Sequence, residues 1–357
     1  MTSKLRLPGW LDLFIVSLFA VIVLASLLPA SGAAATVFHH LTTAAVCLLF
    51  FLHGAKLSPQ SALNSFARWR FQLLVLGFTF VIFPLLGLAS YPLHSLLGPV
   101  LYAGVLFLCI LPSTVQSSIA FTSIARGNVG LAVSSASISN VLGVVVTPLL
   151  AALLLGSQAK ITTGSVVGIL LQLLLPFGIG LLLHRRIGGW LGRHKPVVNI
   201  VDRGSVLLVV YTAFSAGVVE GLWHVVPPSK LGLIIFFSMV LLAVVLGLTF
   251  VVGRVARIPR GDRVVLVFCG SKKSLASGLP MATLLFPSST VGVIVLPLMI
   301  FHLIQLIVCA VLARVWAREA ETAAVTQEGA DQHGRRQHDE RVDHDPEVQT
   351  AEHRPPR

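Results

Sequence analysis

Apolar residues in this chain come in long runs rather than at a strand or amphipathic-helix period. Short stretches rich in charge, proline or glycine cut the runs apart. They lie near 10–29, 36–57, 70–90, 99–125, 128–156, 163–184, 203–226, 231–253, 263–287 and 289–317. Most are close to the ~20 residues that an α-helix needs to cross a bilayer. Segments apolar on every side have no face to offer water, so the pattern predicts an all-α membrane protein of about ten transmembrane helices. The first run follows Lys4 and Arg6 and precedes Ala33, Ala34 and Ala35, which imitates a secretory signal. It is longer than the usual ~7–15-residue signal core, so a retained first span is expected.

Ten spans divide into two sets of five, approximately 10–156 and 161–318. An odd number per half gives the halves opposite orientations, the inverted-repeat arrangement of many secondary transporters. The fourth and ninth runs are interrupted in matching places. Leu111-Pro112-Ser113-Thr114-Val115-Gln116-Ser117-Ser118 breaks one, and Cys269-Gly270-Ser271-Lys272-Lys273-Ser274 breaks the other. Proline lacks a backbone donor and glycine disfavours helix, so both runs are expected to unwind. A proline kink with serines bonded back to their own helix would account for either break alone. Two breaks at corresponding positions point instead to a transport site, because unwound backbone at membrane depth must be buried or line a cavity.

Composition agrees with this reading. Hydrophobic residues make up 55% of the chain and charged ones 11%, against about 25% charged in soluble domains. Ten of the fourteen acidic residues lie from Glu319 onward. That separates a transmembrane transporter domain, 1–318, from a tail, 319–357, expected to be disordered and cytoplasmic. With the N-terminus inside, seventeen basic residues fall on the inner side and only Lys160 and Lys230 outside. The positive-inside rule then sets both termini in the cytoplasm of a multi-pass plasma-membrane protein, a bacterial inner membrane being the expected location. The same rule explains the basic balance without nucleic acid, leaving the lipid bilayer as the partner. Oligomeric state is not set by these patterns. Cys47, Cys109, Cys269 and Cys309 stand singly in apolar runs and read as packing residues, and the tail histidines read as solvated. A P-loop, a G-x-G-x-x-G after a strand and an H-E-x-x-H are all missing, so neither an enzyme nor an ATP-driven pump is expected.

The adjacent lysines Lys272 and Lys273 carry the most information. A lysine at the centre of a spanning helix costs roughly 2.5–3.5 kcal/mol, so two together need partners. Snorkelling from a loop would leave the flanking apolar pieces too short to span. Successive helical residues point about 100° apart, so one ammonium can meet the opposing broken helix while the other meets a cavity or an anion. Oxygen partners are available from Thr114, Gln116, Ser117 and Ser118, from Ser271, and from Asn128, Ser135 and Asn140 in the fifth span. These ten residues are the candidate substrate and ion site, with no catalytic residue, no cofactor and no assigned metal. Lys56 reads as snorkelling, and His53 and His302 as hydrogen-bonded structural groups.

Phe51-Leu52-His53-Gly54-Ala55-Lys56-Leu57-Ser58-Pro59, the proline-broken fourth span, and Ala125-Arg126-Gly127-Asn128-Val129 leading to Thr147-Pro148 resemble the bile acid:sodium symporter superfamily. Phe268-Cys269-Gly270-Ser271-Lys272-Lys273-Ser274-Leu275 with Gly278-Leu279-Pro280-Met281 resembles its orphan, SBF-like branch. The resemblance covers roughly 10–318. It implies a panel domain and a core domain, with spans four and nine crossing in the core and an organic anion bound between the domains. It also implies that Ser118 matches a sodium-ligating serine. The family's fourth-span asparagine becomes Ile119, its fifth-span ligands fall on Ala132 and Ala136, and its third-span glutamine becomes Thr79. The ninth-span glutamate falls on Phe268 and the following glutamine on Lys272.

A hard cation wants several oxygens and usually a carboxylate, whereas two lysines stand here. The reading is therefore a secondary transporter of a small organic anion working by alternating access. Either lysine would hold the place of sodium, with proton coupling or none. Sodium held by Ser118, Ser135 and Asn140 stays open, as does a non-transporting regulator or scaffold that inherited the fold.

Overall fold

The computed structural model describes residues 13–56, 68–155, 163–219, 221 and 226–343, and among these there is helix and no strand. In chain order the helices are α1 (Leu13–Leu27), α2 (Gly32–Lys56), α3 (Trp69–Ala89), the short α4 (Leu93–Leu97), α5 (Pro99–Ile110), α6 (Gln116–Ile124), α7 (Val129–Leu155), α8 (Thr163–Arg193), α9 (Lys195–Val219), α10 (Pro228–Val255), α11 (Arg260–Gly270), α12 (Leu275–Leu285) and α13 (Ser288–Asp343). Six are long and apolar enough to cross a membrane: α2, α3, α7, α9, α10 and α13 as far as Thr322. α5 and most of α1 are shorter apolar helices. Large apolar side chains cover the outside, Leu153, Leu182 and Val255 among them at 76, 82 and 78% exposure. A surface of that kind suits lipid rather than water. The chain is a multi-pass membrane protein.

Within the described residues each apolar run falls mainly on helix, and the fourth and ninth runs are each split in two. Residues 111–115 leave the helix between α5 and α6, and residues 271–274 leave it between α11 and α12.

Close packing comes from small residues, since lipid supplies no hydrophobic drive between helices. A Cβ on Gly54 would stand 2.0 Å from the Phe177 carbonyl oxygen, and one on Gly180 would stand 2.0 Å from that of Phe51. α2 and α8 therefore meet backbone to backbone. His184 adds a 2.7 Å bond from Nδ1 to the Ala55 carbonyl. Lys56 of α2 pairs with the buried Asp202 of α9, an ion pair where the sequence suggested a snorkelling side chain.

At one end of the bundle Asp262 accepts from Arg68 at 2.5 Å and from Asn128 Nδ2 at 2.8 Å. The Asn128 amide donates to the Gly261 carbonyl at 3.0 Å, and Asn128 Oδ1 caps α7 through Leu131 N–H at 3.1 Å. One residue thus fastens the starts of α7 and α11.

α13 runs on to Asp343, so helix continues through 319–343, a segment for which the sequence suggested no structure. Alanine, glutamate, glutamine and arginine, common there, are strong helix formers, and a helix already nucleated by an apolar span extends without a new nucleation cost. The remainder of the tail lies outside the described residues.

Candidate functional site

Breaking a helix frees carbonyls that lipid cannot satisfy, so the first break is best read by asking where each one goes. Pro112 has no N–H, and the Leu108 carbonyl receives Leu111 N–H at 3.5 Å instead. Ser113 N–H is diverted to Ser139 Oγ at 3.0 Å, which frees the Cys109 carbonyl. The Ile110 carbonyl accepts from Thr147 Oγ1 at 2.9 Å, and that of Pro112 from Ser274 N–H at 2.9 Å. Asn140 Nδ2 donates to the Ser113 carbonyl at 2.7 Å. The Cys109 and Leu111 carbonyls are left, and both accept from Lys273 Nζ, at 2.8 and 2.7 Å.

The third Lys273 acceptor is the Thr79 carbonyl, at 2.7 Å, and sequence chemistry explains why it is free. α3 contains a π-helical turn at Phe78–Ile82, in which Phe83 N–H bonds the Phe78 carbonyl. The residue that could serve Thr79 in that register is Pro84, which has no N–H. Lys273 therefore makes three donations to three carbonyls, the full capacity of an ammonium. The Phe83 ring lies 4.1 Å from Nζ, and the side chain has no exposure.

The second break is closed in return by the first. Ser118 Oγ donates to the Phe268 carbonyl at 2.8 Å, and Ser113 Oγ to that of Cys269 at 2.6 Å. Gln305 of α13 clamps the Lys273 peptide from outside. Its Oε1 accepts Lys273 N–H at 2.9 Å and its Nε2 donates to the Lys273 carbonyl at 2.8 Å. The amide's other hydrogen meets His302 Nδ1 at 2.8 Å, a hydrogen-bonded structural role for that histidine.

Lys272 is equally buried but differently held. Its Nζ donates to Ser117 Oγ at 3.2 Å and lies 4.3 and 5.6 Å from the Phe121 and Phe268 ring centroids. Ser117 Oγ donates to Thr114 Oγ1 at 2.9 Å, and Thr114 and Ser118 are 2.8 Å apart. Ser118 spends its hydrogen on Phe268, so Thr114 is the donor between them. A one-way chain of hydroxyls thus runs from Lys272 back to the Phe268 carbonyl in the last turn of α11.

Not every candidate joins this crossing. Gln116 is exposed and donates to Asn199 at 3.3 Å, and Asn128 serves the Asp262 cluster. Ser271 bonds back to Val267 at 2.6 Å. Asn140 belongs, linking Ser113 to Ser277 Oγ at 2.7 Å. Ser135 Oγ is buried without a hydrogen-bond partner. Ser118, Ser135 and Asn140 share no hydrogen bond with one another. Among the described residues no three His, Cys, Asp or Glu side chains cluster for a metal.

Thr79, Ser113, Ser139, Thr147, Ser277 and Gln305 complete the crossing and were outside the predicted site. Gln305 carried the clearest signal, an amide in the middle of an apolar run. A separate cavity of about 250 Å³ lies among α2, α9, α12 and α13, lined by His39, Thr42, Thr43, Thr212, Thr283 and Ser288 with apolar neighbours and no acid. Neither lysine lines it.

An apolar helical bundle around two interlocked broken helices defines a membrane protein of the transporter class. The chain belongs to the SBF-like CPA transporter family, whose profile matches residues 12–318. Uncharacterized protein PA2026 of Pseudomonas aeruginosa is 55% identical over 318 residues, 88% of this chain and 95% of its own. YfeH of Escherichia coli, named as a candidate symporter, is 49% identical over 322 residues, 90% and 97% of the two chains. Sodium/bile acid cotransporter 7-B of Xenopus laevis is 29% identical over 307 residues, 84% and 90%.

Proposed function

We propose that this protein is a secondary active transporter of a small organic anion. In this reading ten crossings form two inverted repeats, 10–156 and 161–318, and build a panel domain and a core domain in which spans four and nine cross. Both termini are cytoplasmic, in a bacterial inner membrane. The observation that carries the reading is the mutual capping of the two breaks, with Ser274 N–H on the Pro112 carbonyl and Ser113 Oγ on that of Cys269. Such a crossing is costly to build and has no structural need in a simple helical bundle. It joins helices that alternating access can move as one body.

Lys272 supplies the positive charge that an anion needs, held by one hydroxyl and two ring faces rather than by a carboxylate. The cavity offers hydroxyl donors and His39 to a carboxylate or sulfonate, and it lies at the end of α12 away from the lysine break, beside Thr283 and Ser288. Sodium or a proton serves as the coupling ion. The names of the cotransporter relatives favour sodium, and the buried Lys272, held by a single hydroxyl, favours a proton.

Uptake by proteoliposomes tests this. A panel of labelled carboxylates and sulfonates, offered under imposed sodium and pH gradients, is expected to give concentrative uptake of at least one under one gradient. Binding or uptake of no anion under either gradient would refute it.

A further inference from the structure

Three main-chain carbonyls from separate segments converge on one point. Those of Thr79 in the π-turn of α3, Cys109 near the end of α5 and Leu111 in the break lie 2.7, 2.8 and 2.7 Å from Lys273 Nζ. Their own helices supply none of them with a donor, because Pro84 has no N–H for Thr79, Ser113 N–H is diverted from Cys109 to Ser139, and Leu111 stands in the unwound segment. The Phe83 ring closes another side at 4.1 Å. Neutral oxygens arranged around a point, with a ring face beside them, form a receptor for a dehydrated monovalent cation. Nothing in this arrangement needs the cation to be covalently attached.

We propose that this cradle is a monovalent-cation site that the chain fills with its own Lys273 ammonium, and that it takes up a free alkylammonium or ammonium ion once the side chain is cut back. The site is independent of the transport reading, since it concerns how the crossing is held together. Lys273→Ala retains Cβ and removes the part that propylammonium reproduces. The ion would donate to the same three carbonyls, and its chain would refill the space.

The experiment is thermal unfolding of the full-length protein in detergent, with propylammonium, ammonium or tetramethylammonium chloride at equal ionic strength. Three charge-assisted bonds are lost in Lys273→Ala, for which a fall in Tm on the order of 10 °C is expected. Propylammonium should restore most of it and ammonium part. Tetramethylammonium, which has no N–H, should restore none. Wild-type protein should respond to no amine, its site being full, and Lys273→Met should be destabilised without rescue because its thioether chain occupies the space. If Lys273→Ala folds only when propylammonium is present throughout purification, the proposal stands. Equal yield and Tm with propylammonium and tetramethylammonium would overturn it. So would an equal response of wild type and variant, or Lys273→Met as stable as wild type.

Discussion

Ser274 donates its backbone N–H to the Pro112 carbonyl at 2.9 Å, so each unwound segment supplies a group that the other lacks. The exchange is completed by Ser113 Oγ on Cys269 and Ser118 Oγ on Phe268. Separating the breaks would strand at least three buried carbonyls, each costing about 1–3 kcal/mol. The crossing is consequently expected to move as a unit, with conformational change placed at its boundaries.

Ser113→Ala tests the exchange directly. The Cys269 carbonyl would lose its partner in a fully buried place, and a destabilisation of about 1–3 kcal/mol follows. Chemical unfolding followed by tryptophan fluorescence should register it. Stability equal to wild type would mean that the carbonyl is satisfied in another way.

Gln305 makes a sharper case, because one side chain serves both the N–H and the carbonyl of Lys273. Gln305→Leu keeps much of the volume, orphans the N–H and leaves the carbonyl the 3.5 Å contact with His302 Nδ1, so about 1–3 kcal/mol or more should be lost. Gln305→Glu keeps the acceptor alone and should fall between wild type and Gln305→Leu. Measured Tm values in the order wild type, Glu, Leu are expected. Any other order would argue against the clamp.

Much of this architecture was legible in the sequence, for reasons that also mark where legibility ends. Uninterrupted apolar runs gave the helices, and Pro112, Gly270 and the two lysines exposed the breaks, since each residue conflicts with an apolar helix. Ser117, which accepts from Lys272, and the Thr114 and Ser118 hydroxyls chained to it are readable as hydroxyls at the opposite break. The division of labour between the lysines is not. It depends on the π-turn of α3, whose only trace is Pro84 placed five residues after Thr79, and on Ser139 drawing away Ser113 N–H. Asn128 reads as a candidate site amide, but an amide at the start of a span serves equally as a helix cap. That is what it does here.

Backbone contact between α2 and α8 predicts a severe and local effect. Gly54→Ala would drive a methyl group against the Phe177 carbonyl, whereas a Cβ on Gly178 in the same helix pair meets nothing within 4 Å. Gly54→Ala should therefore give little monodisperse protein on size exclusion, and Gly178→Ala should match wild type. Normal behaviour of both would show that the two helices can part cheaply.

The extension of α13 predicts tolerance to truncation. One tie of the segment beyond Arg318 to the rest of the protein is Arg126 to Glu321 at 2.7 Å, with half or more of each side chain exposed. Pairs of that kind contribute about 0–1 kcal/mol. Ending the chain after Arg318 should lower Tm by no more than a few degrees and leave uptake unchanged. A larger loss would reveal a docking role for the segment.

Lys272 carries the last prediction, and the contrast with its neighbour gives it force. Lys273 satisfies three carbonyls, so its removal leaves buried acceptors unpaired. Lys272 satisfies one hydroxyl, Ser117, which also donates to Thr114. A buried ammonium with so few polar partners pays desolvation that an apolar side chain would not. Lys272→Met should accordingly keep or raise Tm while lowering anion uptake at least about tenfold, since the proposed function assigns this charge to the substrate. That combination separates function from stability, because residues held at a cost to the fold are commonly those the activity needs. Lys272→Arg retains charge but not shape and should keep part of the uptake with a weaker apparent affinity. Reduced stability together with normal uptake in Lys272→Met would reverse the assignment and make Lys272 the structural member of the pair.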